Sequence, residues 1–379
     1  MPEHSSNELE SAKVDVFTYQ RHFFHQLAMA HDITTPIQIE LHTGLNCDLF
    51  RCPHCYGFGQ GAGARQTASA EDIMNALDDL PTQRTTIIMS GITTDPMTHP
   101  EAAEIIHAIR SRGFSLGIYT KGIRLNEDAR KALIEPMSVP GKTWLTLSVD
   151  ATTAESYILR HNIPPAARDN ATGTLGADYF QLMCSNLAAL RSERDAMQSS
   201  TEIRAAFLLF DDGDMIAEVR TAVKLFSPMV DMMRFALPQI RNDGELPGKL
   251  PPDAAELLAA IEREHASNDS VRVLVETASP QRSKAFNRCY AQRYQITIDR
   301  SGDVFPCPQV AVHPYRHLVV GNIRTATLRS ILQSEARRKL FNFDIDTEMK
   351  CRICDRKDEA LNSELNMLVS SYHTEAARL

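Results

Sequence analysis

The chain has no apolar stretch approaching the length of a membrane span, and its start, MPEHSSNELES, lacks a charged segment followed by an apolar run. A cytoplasmic protein is therefore expected, with no membrane partner. Basic residues are in the minority, 40 Lys and Arg against 48 Asp and Glu, for a net charge of −8. That balance provides no broad footprint for nucleic acid. Two local basic clusters, Arg337-Arg338-Lys339 and the scatter from Arg282 to Arg300, read most simply as solvated faces. A disulfide framework is also missing. The eight cysteines fall in tight local groups instead of spreading along a short secreted chain, and that grouping points to metal or cluster binding in a reducing compartment. What is present is an ordinary globular composition, 43% apolar over 379 residues, enough for two domains or for one large α/β barrel with an appendage.

The organising stretch runs from Pro36 to Gly63, PIQIELHTGLNCDLFRCPHCYGFGQGAG. Ile37, Ile39 and Leu41 alternate with polar neighbours as in a strand, and Gly44 breaks the pattern just before Cys47, Cys52 and Cys55. Three thiols thus sit on a loop at a strand's C-terminal end. A cubane iron–sulfur cluster has four irons, each wanting one outside ligand, so three local thiolates would leave one iron open to a substrate or cofactor. The alternative is a zinc knuckle whose fourth ligand is His54 or His42. The glycines from Gly57 to Gly63 do not make a dinucleotide loop, because cysteines and not a strand precede them.

Residues 1–35 read as a polar tail and a leading helix, with Val16, Tyr19, Phe23 and Leu27 at helical spacing. From Pro36 to about residue 240, strand patterns alternate with helix patterns: PIQIELH, TTIIMS, FSLGIYT, TWLTLSV, EIRAAFLLF and VDMMRFAL, with amphipathic segments between them. Six such units imply parallel pairing through right-handed crossovers and a site at the strands' C-terminal ends. After Pro238 the texture turns to Gly, Pro and charge in RNDGELPGKLPPDAA, where a domain boundary is expected, so that residues 241–379 form a second unit. That unit holds Cys289, Cys307, Cys351 and Cys354, enough for one closed site. YQITIDRSGDVFPC reads as a hairpin turning at Ser301-Gly302 and delivering Cys307. A structural zinc ribbon is the alternative for this set.

On these residues the chain resembles the radical SAM enzymes. Their usual loop is Cys-x3-Cys-x2-Cys, and here one extra residue separates Cys47 from Cys52. QITIDRSGDVFPC, VVGNIRTATLRSIL and CRIC resemble the C-terminal extension of the SPASM and twitch branch, and four cysteines favour the shorter twitch form with a single auxiliary cluster. The resemblance implies an α/β fold, a partial (β/α)6 TIM barrel with a small C-terminal twitch-like extension. It also implies a [4Fe-4S] cluster on Cys47, Cys52 and Cys55, a second one on the other four cysteines, and S-adenosylmethionine on the open iron. The family's Gly-Gly-Glu-Pro-like segment corresponds to Ser90-Gly91-Ile92-Thr93-Thr94-Asp95-Pro96, with Asp95 near the glutamate's place as an amino-group ligand or else a turn residue ahead of Pro96. Thr120-Lys121-Gly122 stands where the family usually has Thr-Asn-Gly, and Ser148-Val149-Asp150 is similar to its Ser-x-Asp. Ser148 and Asp150 are thereby expected at the ribose or carboxylate, with capping of the following helix as the alternative for Asp150. Arg160 would suit the carboxylate.

Cysteine accounting leaves Cys184 outside both sets. It is either a core residue on the face of Phe180, Met183, Leu187 and Leu190 or a hydrogen donor to a substrate radical. The donor role would make the protein an epimerase, similar to twitch-bearing radical SAM epimerases of sugar and aminocyclitol antibiotic biosynthesis. A small-molecule substrate is expected, with an electron donor such as flavodoxin or ferredoxin. A ribosomal peptide is the competing substrate, although 35 residues before the first strand would not hold a leader-binding domain. A non-catalytic cluster-binding regulator is the reading from another class.

Overall fold

The computed structural model describes residues 35–58, 67–139, 141–211, 213–241, 244–245, 253–266, 272–276, 286–351 and 354–376. The leading helix expected before Pro36 lies outside these residues. Seven strands run parallel in chain order: β1 (Gln38–His42), β2 (Thr86–Met89), β3 (Ser115–Thr120), β4 (Thr143–Ser148), β5 (Glu202–Leu208), β6 (Met232–Ala236) and β7 (Arg272–Glu276). Helices cross between them: α1 (Ala70–Leu77), α2 (Ala102–Ser111), α3 (Glu127–Ile134), α4 (Ala154–His161), α5 (Tyr179–Ala196), α6 (Met215–Phe226) and α7 (Ala254–His265). Parallel neighbours require such crossovers, and the result is an α/β sheet with the strand order of a partial barrel.

The sequence forms these elements for local reasons. Ser69 caps α1 in a reciprocal box with Asp72, Asn126 caps α3 through the Ala129 amide, and Thr153 caps α4 through Ser156. Alternate strand residues such as Ile39 and Leu41, Ile87 and Met89, Leu116 and Ile118, and Leu145 and Leu147 are completely buried in one continuous core. Gly117 in β3 is required by packing, since a Cβ there would lie 2.4 Å from the ring of Trp144.

The six strands expected before residue 240 are β1 to β6, and the chain beyond 240 extends the same sheet at both edges. β7 pairs parallel with β6, and β8 (Gln295–Asp299) pairs parallel with β1, Gln38 opposite Gln295. β8 turns through Ser301-Gly302, with Gly302 at φ +85°, into antiparallel β9 (Asp303–Phe305), and β10 (Gly321–Asn322) completes the edge. α8 (Leu328–Leu332), α9 (Glu335–Leu340) and the long α10 (Arg356–Ala376) follow. Among the described residues no helix is long and apolar enough to cross a membrane.

One expectation about the surface is overturned here. Arg337 is 1% exposed and Arg300 is 8% exposed, so neither belongs to a solvated face. Arg300 donates to the Leu45 carbonyl at 2.5 Å and so pins the thiol loop to the β8–β9 hairpin, whereas Arg337 donates to the carbonyl of Gln292 just before β8.

Candidate active site

Cys47, Cys52 and Cys55 leave the C-terminal end of β1 on a loop seated directly on the segment after β2. The Asp95 amide donates to the Asn46 carbonyl at 2.7 Å, and the Leu45 amide donates to Thr98 Oγ1 at 2.8 Å. Gly44 makes this approach possible, because a Cβ there would lie 2.0 Å from the Asp95 carbonyl oxygen. The longer spacing before Cys52 is taken up by a turn in which Phe50 N–H donates to the Cys47 carbonyl at 3.0 Å and Asp48 adopts φ +53°. Arg124 fixes that strained residue, its Nε lying 2.8 and 3.0 Å from the two Asp48 carboxylate oxygens. At the far end the Arg51 amide donates to the His161 carbonyl at 3.0 Å, tying the loop to the last residue of α4.

The thiols act on one another. Burial pushes Cys47 well above the ordinary thiol range, and Asp95, Cys55 and Cys52 raise it further against the opposing charge of Lys121. Burial likewise lifts Cys52 to about 11. His161 Nδ1 is 3.2 Å from Cys52 Sγ, and burial keeps both His161 and His54 in the neutral form, His54 falling to about 4. His54 Nδ1, the Tyr157 hydroxyl and His161 Nε2 are buried without a hydrogen-bond partner. Three mutually repelling sulfurs ringed by unpartnered polar atoms fit an iron–sulfur core, whose positive irons would draw the thiolates together, and a polar ligand that would complete them. A single metal ion fits less well: donors of Cys52, His54 and His161 lie within 4.8 Å of one another, but such a site leaves out Cys47 and Cys55. His42, the other histidine considered for zinc, instead bonds Glu40 at 3.1 Å.

The residues expected around the cofactor form two linked groups. In the first, Asp95 caps the 3-10 turn Pro96–Thr98 through the Met97 amide at 2.9 Å, accepts from Thr120 Oγ1 at 2.9 Å, and accepts from the Lys121 amide at 2.6 Å. Its carboxylate therefore joins the β2 and β3 ends, and burial raises its pKa against those hydrogen bonds. Gly91 permits the tight turn before it, where a Cβ would lie 2.2 Å from Thr94 Oγ1. Ser90 turns the other way, donating to Glu40 at 2.5 Å.

In the second group, Asp150 follows Ser148, the last residue of β4, and adopts φ +50°. Its carboxylate accepts from the Leu208 amide at 2.8 Å and lies 3.1 Å from Lys121 Nζ. It does not cap α4, a role that belongs to Thr153. Arg160 donates to the Asp150 carbonyl at 2.8 Å and grips Glu218 of α6 with both terminal nitrogens, so its charge has a carboxylate partner within the protein. Lys121 faces the thiols: burial alone would lower its pKa, but Asp150, Cys52 and Cys47 outweigh burial and hold the ammonium above the ordinary range. His161 and Lys121 are site residues that the sequence did not single out. His161 carried no signal beyond its place at a helix end, and Lys121 was visible only as the middle residue of Thr-Lys-Gly.

Cys184 lies on α5 one turn beyond Phe180, whose ring is 5.5 Å from that of Tyr157. Met183, Leu187 and Leu190 form the fully buried stripe of α5, while Phe180 and Cys184 sit beside it, half-buried. Burial lifts the Cys184 thiol to about 11, and Cys184 is among the groups that face the Tyr157 hydroxyl.

The second cysteine set converges as well. Burial pushes Cys307 and Cys354 well above the ordinary range, Cys351 and Cys289 add to the shift at Cys307, and Asp358, Cys289 and Cys307 add to it at Cys354. All eight cysteines are free thiols. The amides of Gln292 and Ala291 point at the Cys289 sulfur, and Asn362 Nδ2 is 3.7 Å from it. Tyr56, directly after Cys55, reaches toward this set, since burial and then Tyr315, Cys307, Cys351 and Cys354 raise its pKa. The four sulfurs with their amide donors fit a closed cluster.

Residues 289–355 match the SPASM family, an iron–sulfur cluster-binding domain, and the match contains all four of these cysteines. Among curated proteins none matches the chain in sequence. Solved structures similar to it include SuiB of Streptococcus suis bound to S-adenosylmethionine, at TM-score 0.61 and 11% identity over 91% of this chain and 78% of that one. SuiB bound to its precursor peptide SuiA is similar at TM-score 0.61 and 12% identity, over 97% and 84% of the two chains. Native anSMEcpe with bound AdoMet and the Cp18Cys peptide is similar at TM-score 0.53 and 16% identity, over 89% and 94%. The fold is that of the radical SAM enzymes. The thiol loop follows the first strand of this fold, and residues 289–355, beginning after β7, carry the iron–sulfur cluster-binding match.

Proposed function

We propose that the chain is a radical SAM enzyme that removes hydrogen from an unactivated carbon of a small, polar substrate and returns hydrogen to the opposite face, epimerising a sugar or aminocyclitol. The observation that carries the radical SAM part is the convergence of exactly three thiols on a loop at the C-terminal end of β1, beside a separate set of four. Cys47, Cys52 and Cys55 would hold the first [4Fe-4S] cluster, leaving one iron for S-adenosylmethionine, and Cys289, Cys307, Cys351 and Cys354 would hold an auxiliary cluster of the twitch type. When bound, the first cluster supplies the electron that splits S-adenosylmethionine into methionine and a 5′-deoxyadenosyl radical.

The chain's own residues have the remaining roles in this reading. Lys121 and Asp150 line the cofactor pocket at the β3 and β4 ends, and Thr120 and Asp95 hold those ends in register. A cavity of about 470 Å³ opens between the β1 and β2 ends and the β8–β9 hairpin, with His42, Thr94, Asp299, Asp303, His313 and Arg316 in its walls. That density of hydroxyl, imidazole and charged groups suits a hydroxyl-rich substrate. Cys184 keeps its S–H bond at neutral pH because burial raises its pKa, and a hydrogen-atom donor must retain that bond. Donation leaves a thiyl, which one electron from an external reductant such as flavodoxin or ferredoxin and one proton restore to the thiol. Residues 36–240 would form the catalytic unit and 241–379 the auxiliary one.

A second reading, modification of a peptide, is favoured by the two similar structures that hold peptides, SuiB with SuiA and anSMEcpe with Cp18Cys. Anaerobic incubation with S-adenosylmethionine, reductant and panels of aminocyclitols, sugars and peptides, cysteine-containing ones among them, in deuterated water separates the two. Epimer carrying one solvent deuterium supports the first reading, and a peptide product lighter by two hydrogens overturns it.

A further inference from the structure

Arg337 is the largest fully buried side chain among the described residues, at 1% exposure, and among those residues it has no carboxylate within ion-pair distance. Its Nη2 donates to the carbonyl of Gln292 and reaches that of Gln295 at 3.5 Å, while Nε and Nη1 are buried without a partner. The guanidinium lies 5.1 Å from the Phe341 ring centroid, and Arg293 stacks on the same ring at 4.7 Å, so a like charge stands beside it. A guanidinium does not give up its proton in a folded protein, and an unpaired buried charge costs several kcal/mol, so this position demands an anion. The carbonyl it holds belongs to Gln292, whose amide points at Cys289 and whose side chain donates to the Cys289 carbonyl at 3.1 Å. The charges that act on it are those of the Cys289 and Cys307 thiols, which favour the guanidinium, and that of Arg293, which opposes it. Asp358, an acid that acts on Cys289, Cys307 and Cys354, accepts from Tyr294 Oη at 2.6 Å and from Gln295 Nε2 at 2.7 Å.

We propose that Arg337 is the fixed counter-charge of the auxiliary iron–sulfur site, a positioning residue that holds the turn after Cys289 and favours the reduced state of the cluster bound there. The inference rests on the assignment of an auxiliary cluster to Cys289, Cys307, Cys351 and Cys354. The physical basis is that a cluster with four thiolate ligands is anionic and gains one more negative charge on reduction. A buried cation beside it stabilises the reduced form more than the oxidised one, and net charge and hydrogen bonding are among the terms that set such potentials. A structural arginine would have no such bias.

The test is EPR-monitored redox titration of the full chain after anaerobic reconstitution, comparing wild type with Arg337→Met and Arg337→Lys. The auxiliary signal is the one that added S-adenosylmethionine leaves unchanged. With iron content unaltered, Arg337→Met is expected to lower the reduced-to-oxidised ratio at a fixed potential at least tenfold, equivalent to about 59 mV for one electron, and Arg337→Lys to keep most of the wild-type ratio. An Arg337→Met protein with full iron and an unshifted potential overturns the proposal. If Arg337→Met fails to assemble the cluster, Arg337→Lys decides: retained iron supports a requirement for charge, and loss of iron in both variants overturns it in favour of a requirement for shape. A wild-type chain without any S-adenosylmethionine-insensitive signal would instead overturn the cluster assignment beneath it.

Discussion

Lys121 and Asp150 form an ion pair, Nζ to Oδ2 at 3.1 Å, across the C-terminal ends of the neighbouring strands β3 and β4, with the carboxylate buried and the ammonium 16% exposed. The pair places a cation toward Cys47 and Cys52 and fixes the carboxylate that we propose for the cofactor pocket. Asp150 sits at φ +50°, a conformation that asparagine tolerates better than most residues, so Asp150→Asn removes the charge with little change to the backbone. We expect it to destabilise the protein by about 2 kcal/mol, less than the loss of a fully buried pair, because the half-buried Lys121 loses its carboxylate partner. It should also weaken S-adenosylmethionine binding while leaving the iron content of both sites intact. Equilibrium binding without oxygen, alongside thermal unfolding, checks this; lowered stability with unchanged affinity would reduce the pair to a structural strut.

Gly44 is where the thiol loop meets the backbone of the β2 segment, 2.0 Å being too short for any Cβ and backbone being unable to give way cheaply. Gly44→Ala should lift the loop from Asp95 and Thr98. The expected outcome is loss of about half the iron, roughly four atoms of eight, with the auxiliary site still loaded. Full iron in the purified variant would show that the loop tolerates displacement.

Cys184→Ala separates a hydrogen donor from a packing residue. Half-buried beside the α5 stripe, the thiol should contribute on the order of 1 kcal/mol to stability. If Cys184 donates hydrogen, the variant still forms 5′-deoxyadenosine and the substrate radical but yields oxidised or quenched product instead of epimer. Epimer at the wild-type rate would end the donor role.

The parallel sheet was legible because buried strands separated by amphipathic helices leave a plain pattern, and the cysteines were legible as two groups, whereas spacing alone left zinc open for each and only the family resemblance favoured clusters. Roles that depend on a second element were not. Arg160 reads as a carboxylate ligand until Glu218, from a helix 58 residues later, is seen in its grip. Asp150 has the residue type of a helix cap, yet its left-handed backbone and the Leu208 amide give it other work while Thr153 caps the helix. Arg337 belongs to a run of three basic residues, which ordinarily marks a solvated face. Only its helical spacing to the buried Leu340 pointed inward, and the fourfold thiol site that explains its charge is assembled from residues far away in the chain. The place of β7 beside β6 depends on pairing that no local pattern encodes.

The most direct measurement is 5′-deoxyadenosine formation and iron content, made anaerobically on the wild-type chain and on a variant with Cys47, Cys52 and Cys55 all replaced by Ala. The wild type should carry close to eight irons and cleave S-adenosylmethionine under reduction, and the triple variant should keep about four irons and form none of the nucleoside. Persistent 5′-deoxyadenosine from the triple variant would contradict the assignment of the radical chemistry to the β1 loop.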